Sequence, residues 1–290
     1  MAFSVNTNVG AMAALQSLNE TTRGMSQVQS RINTGLSVSS TKDDSASFVI
    51  AQSLRSDVAG LKAVSTSLNR AKSVTDVAVS GAEQISDVLN QMKSKATLAA
   101  DSGIDQKSRD AYNSDFTKLR DQIGTIVKSA EFNGTNLLDS TASSNSVSAL
   151  KSLQDGGTAA SWQPDSLTVA NQNLNLGTGT AAGTVLKFGD TSTIATQADA
   201  EAMVQSLTDS QTAMGTVLST LGAASRQIES QQSFTSKLSD VVEAGIGNLV
   251  DADLAKESAK LQALQVKQQL GVQALSIANQ APQSVISLFR

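Results

Sequence analysis

The chain contains no cysteine and no histidine, and these two absences remove whole classes of function. Without cysteine there are neither disulfides nor thiolate metal sites, and the redox compartment cannot be read from bridges. Without histidine as well, the Ser-His-Asp and Cys-His constellations, the HExxH metalloprotease motif and the usual zinc sites are excluded. Two prolines and 3% aromatics point away from an aromatic globular core and toward long helices with thin, Ala-lined seams. Basic clusters are missing too: the net charge is -4 and the pI near 4.9, so nucleic acid is not an expected partner. No apolar run approaches the roughly 18 to 20 residues that cross a bilayer, and no basic segment leads into an apolar core at the N-terminus. Neither membrane insertion nor a classical secretory leader is expected.

What is present is a chain of 290 residues, 40% apolar and 17% charged, enough to bury a core in one elongated or two compact domains. Its ends carry regular apolar spacing. Leu15, Leu18, Thr22, Met25 and Ile32 recur at steps of three and four, with Val28 one place off, as in a coiled-coil seam. Leu254, Leu261, Leu264, Gln268, Gly271, Leu275 and Ala278 repeat the pattern near the C-terminus, and Leu288, Phe289 and Arg290 follow with no polar tail. The two arms are expected to pair. Residues 1 to 40 hold only three charges, Glu20, Arg23 and Arg31, whereas a solvated helix face carries more. Packing on several sides is therefore expected, beyond what one intramolecular partner supplies.

Between the arms, Thr34, Gly35 and residues 37 to 41 break the period, and Asp43 or Asp44 stands as an N-cap for a second helix. From Ile50 to Ala99 the heptad is nearly continuous, interrupted at Asp57 and Thr75, and carries Leu54, Leu61, Leu68, Ile85, Leu89 and Met92. That is roughly 75 Å of helix at 1.5 Å per residue. A third helix presents Tyr112, Phe116, Leu119 and Ile123 and stops near Asn133-Gly134, a turn signal. Residues 141 to 200 hold six charges and many Ser, Thr, Gly and Asn, and short β-like pieces are read at 167–170, 173–176 and 185–188. From about Asp199 the helical period returns through Leu221, Ile228 and Leu238, running back along the second and third helices. Gly245 and Gly247 mark a joint before the last arm. The expected fold is mainly α: an elongated coiled-coil or helical-bundle rod with paired terminal arms, both termini at one end, and a small β insert.

These residues closely resemble a bacterial flagellin of a short type. The resemblance rests on Ile32-Asn33-Thr34-Gly35 with Lys42-Asp43-Asp44-Ser45-Ala46, on Phe132-Asn133-Gly134-Thr135-Asn136-Leu137-Leu138, on Asp251-Ala252-Asp253-Leu254-Ala255-Lys256-Glu257, and on the ending Ile286-Ser287-Leu288-Phe289-Arg290. It covers roughly residues 1 to 140 and 200 to 290. It implies a flagellar filament subunit for motility, exported by the flagellar type III apparatus and polymerising at the distal tip under a cap. The division it implies is 1–43 as N-terminal arm of an inner tube, 44–140 as rod helices, 141–198 as a variable outer insert, 199–247 as a further rod helix and 248–290 as C-terminal arm. Implied partners are further copies and sister flagellins, the export apparatus and an export chaperone, hook-associated proteins and the cap. Arms that cannot satisfy their apolar faces alone should fold on assembly.

Other features carry less. Asp251, Asp253 and Glu257 begin like a calcium loop, but Gln262 stands at the twelfth position and no glycine at the sixth, so acids in the first turn of a helix are the better reading. Gly177, Gly179 and Gly183 have the wrong spacing for a dinucleotide fingerprint and read as a flexible loop. The glycosylation-like patterns at Asn19 and Asn133 read as coincidence, and O-glycosylation of the insert's Ser and Thr residues, common in the family, can be assigned to no site. Gly60 and Gly81 lie beside the seam, either for close helix approach or as tolerated weak helix formers. Gln91 and Lys95 stand where the resemblance would put an innate immune receptor's arginine and leucine contacts, a departure that implies weak recognition. A hook-filament junction protein is the alternative within the class. Membrane binding by the arms lacks the flanking basic residues it needs, and no catalytic or cofactor constellation stands out.

Overall fold

The computed structural model describes the backbone of residues 7–155 and 164–287 and the side chains of residues 7–153 and 165–280. Leu288, Phe289 and Arg290 lie outside the described residues. Among the described residues the chain is mainly α, with five helices and one two-stranded sheet: α1 (Val9–Thr34), α2 (Ser45–Ala99), α3 (Gln106–Ser129), β1 (Val147–Asp155), β2 (Pro164–Val169), α4 (Gln197–Val250) and α5 (Leu254–Ser287). It divides into two compact units, one formed by residues 1–58 and 240–290, the other by residues 59–239.

The helix ends follow from local chemistry. Asn8 caps α1 by accepting from the Ala11 amide at 3.0 Å, and Gly35 ends it at φ 71°, a left-handed conformation that costs glycine little. Of the two acids expected to start α2, Asp44 is the cap: its Oδ1 accepts from the amides of Ala46 and Ser47 at 3.0 and 3.2 Å. Asp43 instead gathers the preceding loop, accepting from the amides of Ser39 and Ser40 at 3.1 and 3.0 Å. The joint before α5 lies later than its glycines imply. α4 runs through Gly245 and Gly247 to Val250, because an isolated glycine weakens a helix by only about 1 kcal/mol and does not end one. The break comes at residues 251–253, where Asp253 Oδ1 accepts from the amides of Ala255 and Lys256 and starts α5.

In the central unit, one contiguous core joins α2, α3, α4 and the insert. α2 contributes Leu68, Ile85, Leu89, Met92 and a run of alanines; α3 contributes Phe116, Ile123 and Val127; α4 contributes Leu207, Leu221 and Ile228. Thr75, an interruption of the heptad, is fully buried without harm because its hydroxyl bonds back to the Ala71 carbonyl at 2.9 Å. Arg109 closes the α2–α3 connection, its Nε donating to the Ala99 carbonyl at 2.9 Å and its Nη2 to that of Asp101 at 3.2 Å. The Ala99 carbonyl is one that the end of α2 leaves unpaired, and that of Asp101 belongs to the turn that follows. Beyond α3, Asn133 and Gly134 both take positive φ, 50° and 78°, in a reciprocal two-residue turn between Phe132 and Thr135.

The insert differs from its sequence reading. β2 covers most of the piece read at 167–170, but its partner β1 is not among the pieces read there, and 173–176 and 185–188 are irregular chain. β1 pairs antiparallel to β2 through Val147↔Val169 and Ala149↔Leu167; Val147 and Ala149 point into the core while Ser148 and Lys151 face out. The free edge of β1 is covered by side chains of the helices. Ser67 Oγ accepts from the Leu150 amide, Arg70 donates to the Ser148 carbonyl and Gln231 to that of Lys151, which removes an open edge. Gly177, Gly183 and Gly189 of the following loop are tightly packed. Gly177 bridges to Gly189, and an ideal Cβ at either would overlap a backbone carbonyl.

Candidate assembly surface

The terminal unit is built on α1 and α5, which run antiparallel along a two-helix seam. Its base is backbone: Ser37 N donates to Val250 O at 2.7 Å, Ala252 N to Gly35 O at 2.9 Å, and Leu36 bridges Asp251. One turn above, Arg31 Nη1 donates to Glu257 Oε1 at 3.3 Å. Farther along, Gly24 lies under the methyls of Leu264, Gly271 under Leu18, and at the far end Asn8 Nδ2 donates to the Ala278 carbonyl at 2.7 Å. The N-terminal end of α1 and the C-terminal part of α5 therefore lie side by side.

The seam on α5 runs through Glu257, Leu261, Leu264, Gln268, Gly271, Leu275 and Ala278, at alternating steps of four and three. On α1 it runs through Ala11, Ala14, Leu18, Thr21, Met25, Val28 and Ile32, with Val28 the most buried at 1% exposure. Leu18, Met25 and Ile32 lie on it as expected from spacing, but Leu15 and Thr22 do not: Leu15 is 49% exposed and Thr22 is open. Two heptad frames share Leu18, Met25 and Ile32. The frame through Leu15 and Thr22 would bring Gln29 to the seam, while the frame through Ala14 and Thr21 brings Val28, so burial of Val28 decides between them. Leu254 is likewise exposed at 49%, beside the Asp253 cap and ahead of the first seam position.

Each helix thus covers one face and leaves large apolar side chains in water. On α1 these are Val9, Met12 and Leu15; on α5 they are Val266, Leu270, Val272 and Ile277. Two concavities accompany them, one of about 610 Å³ lined by Val9, Met12, Leu15 and Gln16 of α1, the other of about 510 Å³ between Glu20 and Thr21 of α1 and Lys267, Leu270 and Gly271 of α5. Exposed apolar surface on this scale, on two helices with few charges, is characteristic of an association surface. Asp251, Asp253 and Glu257 do not converge: Asp253 caps α5, Glu257 pairs with Arg31, and Asp251 sits in the bridge to Leu36. Among the described residues no group of three acids could hold a metal ion, and no helix is long and apolar enough to cross a membrane.

The remaining residues expected from the sequence lie along α2, α3 and α4. Leu61, Leu68, Ile85, Leu89, Met92, Phe116, Leu221 and Ile228 are buried, and Leu54, Tyr112 and Leu119 are half-buried. Leu238 is not core in this chain: it is 37% exposed, and Phe234 one turn before it is more so. Gly60 and Gly81 both admit close neighbours. A Cβ at Gly60 would stand 2.6 Å from Leu153, and one at Gly81 would stand 2.9 Å from Leu138. Gln91 is exposed, whereas Lys95 is engaged, donating to Asp115 at 2.8 Å with its ammonium 5.7 Å from the Tyr112 ring centre.

A mainly helical chain whose two ends pair and present unused apolar faces defines a self-associating structural subunit. Residues 5–143 match the bacterial flagellin N-terminal helical region, and residues 204–289 match the bacterial flagellin C-terminal helical region. The chain belongs to the flagellin family. It is 42% identical to flagellin FljM and to flagellin FljK of Caulobacter vibrioides, over 99% of this chain and 98% of each of those. It is 37% identical to a flagellin of Brucella melitensis over 99% of both chains. Among solved structures, a putative flagellar hook-associated protein from Vibrio parahaemolyticus superposes on 72% of this chain and all of its own with a TM-score of 0.53 at 13% identity, a likeness of fold alone. The end-to-end flagellin relatives disfavour the hook-filament junction reading. The protein is a structural subunit of the extracellular bacterial flagellar filament.

Proposed function

We propose that polymerisation is driven by the terminal unit, with residues 1–43 and 248–290 folding together as subunits join. The observation that carries this is the half-covered state of α1 and α5. Their mutual seam covers one face of each helix and leaves Val9, Met12, Val266, Leu270 and Ile277 more than half exposed in one chain. Most helical stability comes from packing an amphipathic face and not from propensity. Contacts with further copies supply the missing burial at roughly 25 cal/mol per Å² of apolar surface, so ordering and association are one event. In this reading the arms form an inner tube, residues 44–140 and 199–247 form the surrounding shell and 141–198 face solvent. Leu15 and Leu254, on outer faces, belong to contacts between subunits, and Leu18, Met25, Ile32, Leu261, Leu264 and Leu275 to the seam within one.

Deleting residues 251–290 tests it directly. The truncated chain is expected to keep the central unit's helices and to form no filaments; native filaments from that chain would refute the reading. The same scheme carries further partners: the flagellar export apparatus and an export chaperone before assembly, and hook-associated and cap proteins at the filament's ends. The absence of cysteine suits a chain exported unfolded, since nothing must be oxidised for it to refold. Lys95, tied to Asp115 and Tyr112, and Gln91 are proposed to give weak innate-receptor activation; a strong response in a reporter-cell assay would contradict that.

A further inference from the structure

A seam that repeats every seven positions does not fix its own alignment, because sliding one helix by a heptad lays seam on seam again. In the terminal unit the facing pairs Arg31/Glu257, Gly24/Leu264 and Gly10/Ala278 all keep one offset. A slide of one heptad would put Arg31 opposite Val250 or Leu264, and Glu257 opposite Gly24 or Val38. Each charge would then lose its partner. Arg31 and Glu257 form the only ion pair among the described residues of this unit. Glu257 is buried at 8% exposure, and its Oε2 and the Arg31 Nε are enclosed without a hydrogen-bond partner in the chain. A pair joined by one prong, with a spare buried donor and acceptor, is a poor stabiliser, since desolvation offsets most of its attraction. Separating the two is more costly, because Glu257 would be left buried and uncompensated and the partly exposed Arg31 without its partner. The pair therefore discriminates between alignments more than it strengthens any one of them.

We infer that Arg31 and Glu257 are the register-determining residues of the α1–α5 pair, selecting one heptad alignment when the arms fold together during polymerisation. This rests on the reading that the arms pair on assembly. Their role is positioning, and their effect should appear in alignment as well as in the yield of polymer.

Because the chain has no cysteine, introduced pairs report alignment without background. An ideal Cβ on Gly10 lies 3.9 Å from the Ala278 Cβ, inside the range of about 3.5–4.5 Å for a disulfide. Gly10→Cys with Ala278→Cys therefore reports the observed register, and Gly10→Cys with Gly271→Cys reports a slide of one heptad. Each pair is placed in the full chain, polymerised, oxidised, and scored for intrachain disulfide. In the native background the first pair should close and the second should not. Arg31→Met or Glu257→Leu should lower the first disulfide severalfold and let the second form, and exchanging the charges, Arg31→Glu with Glu257→Arg, should restore the native pattern. If the single variants do not polymerise, restoration of polymer and of the first disulfide by the exchange supports the assignment, and its failure overturns it. Single variants that close the first pair as fully as the native background would also overturn it, leaving register to the backbone bridge at residues 35–37 and 250–252 and the Asn8–Ala278 bond. Absence of the first disulfide in native-background filaments would instead refute arm pairing itself.

Discussion

The side-chain amide of Asn136 donates to the Val127 carbonyl at 2.7 Å while its Oδ1 accepts from the amides of Leu138 and Asp139 at 2.8 and 3.1 Å. Asn136 is 2% exposed, so one residue both closes the end of α3 and shapes the chain that leaves it. Replacing it by Asp removes the donor and sets a carboxylate oxygen against a buried carbonyl. Asn136→Asp is expected to lower stability by about 1–3 kcal/mol, the range for leaving a buried polar group unpaired. Denaturant unfolding followed by helix signal checks this, and a loss below about 0.5 kcal/mol would contradict it.

Gly177 of the insert and Gly215 of α4 should respond to substitution in opposite directions. A Cβ at Gly183 would stand 2.6 Å from the Asn175 carbonyl oxygen, and at Gly177 it would overlap that of Ala181, whereas nothing lies within 4 Å of a Cβ at Gly215 in α4. Gly177→Ala should destabilise by about 3 kcal/mol or more, since backbone and not a flexible side-chain tip must move. Gly215→Ala should stabilise by up to about 1 kcal/mol through helix propensity. Thermal melts of the two variants side by side decide this.

A pH-dependent contribution centres on Lys72, which donates to Glu229 at 2.7 Å and lies 3.3 Å from Asp76. The bond to Glu229 holds the Lys72 ammonium above its ordinary pKa, and the same bond holds Glu229 below its own. The lowered Glu229 contributes fully above the ordinary glutamate value of 4.5 and is lost as pH falls through its folded value; the raised Lys72 contributes fully below 10.5 and is lost as pH rises through its folded value. The pair's contribution should thus be flat from mildly acidic to mildly alkaline pH and fade on both sides. Solvent exposure keeps it small. Comparing the stability profile of the native chain with Lys72→Met shows it as a difference that disappears at both extremes; a difference that persists at strongly acidic pH, with the carboxylates protonated, would contradict the assignment.

Seam and outer face can be separated by two substitutions on one helix. Val28→Ala empties a site that is almost fully buried against α5, while Leu15→Ser changes a side chain that is half in water. The first should weaken arm pairing and polymerisation together, by about 1–3 kcal/mol at the pairing step. The second should raise the concentration needed for polymerisation and leave the disulfide of the Gly10→Cys, Ala278→Cys pair unchanged in assembled chains. Equal effects of both on that disulfide would show that Leu15 belongs to the seam.

Much of this architecture is legible in the sequence because helices announce themselves twice, by period and by end chemistry. The spacing from Leu54 to Met92, the Asp44 cap and the Asn133-Gly134 turn locate α2 and the end of α3. What escapes is where local rules compete. Gly245 and Gly247 look like a joint, yet α4 passes through both because neighbouring residues continue the helix and Asp253 supplies the real start signal further on. β1 hides because the alternation of Val147, Ser148 and Ala149 breaks off at Leu150 and the adjacent polar residues Lys151 and Ser152, while side chains of distant helices cover its free edge. The seam of α1 is recoverable, since Val28 against Gln29 distinguishes the two frames, whereas the pairing of Arg31 with Glu257 joins residues 226 positions apart and leaves no local signal.

The central claim is that the terminal helices order when subunits join. Amide hydrogen exchange, measured by mass spectrometry on the soluble chain and on polymerised filaments under one buffer, tests it most directly. Fast exchange is expected throughout residues 1–40 and 251–290 in the soluble chain, with strong protection of the same segments in the filament and little change in α2 from Val64 to Ala99. Strong protection of those terminal segments already present in the soluble chain would contradict it.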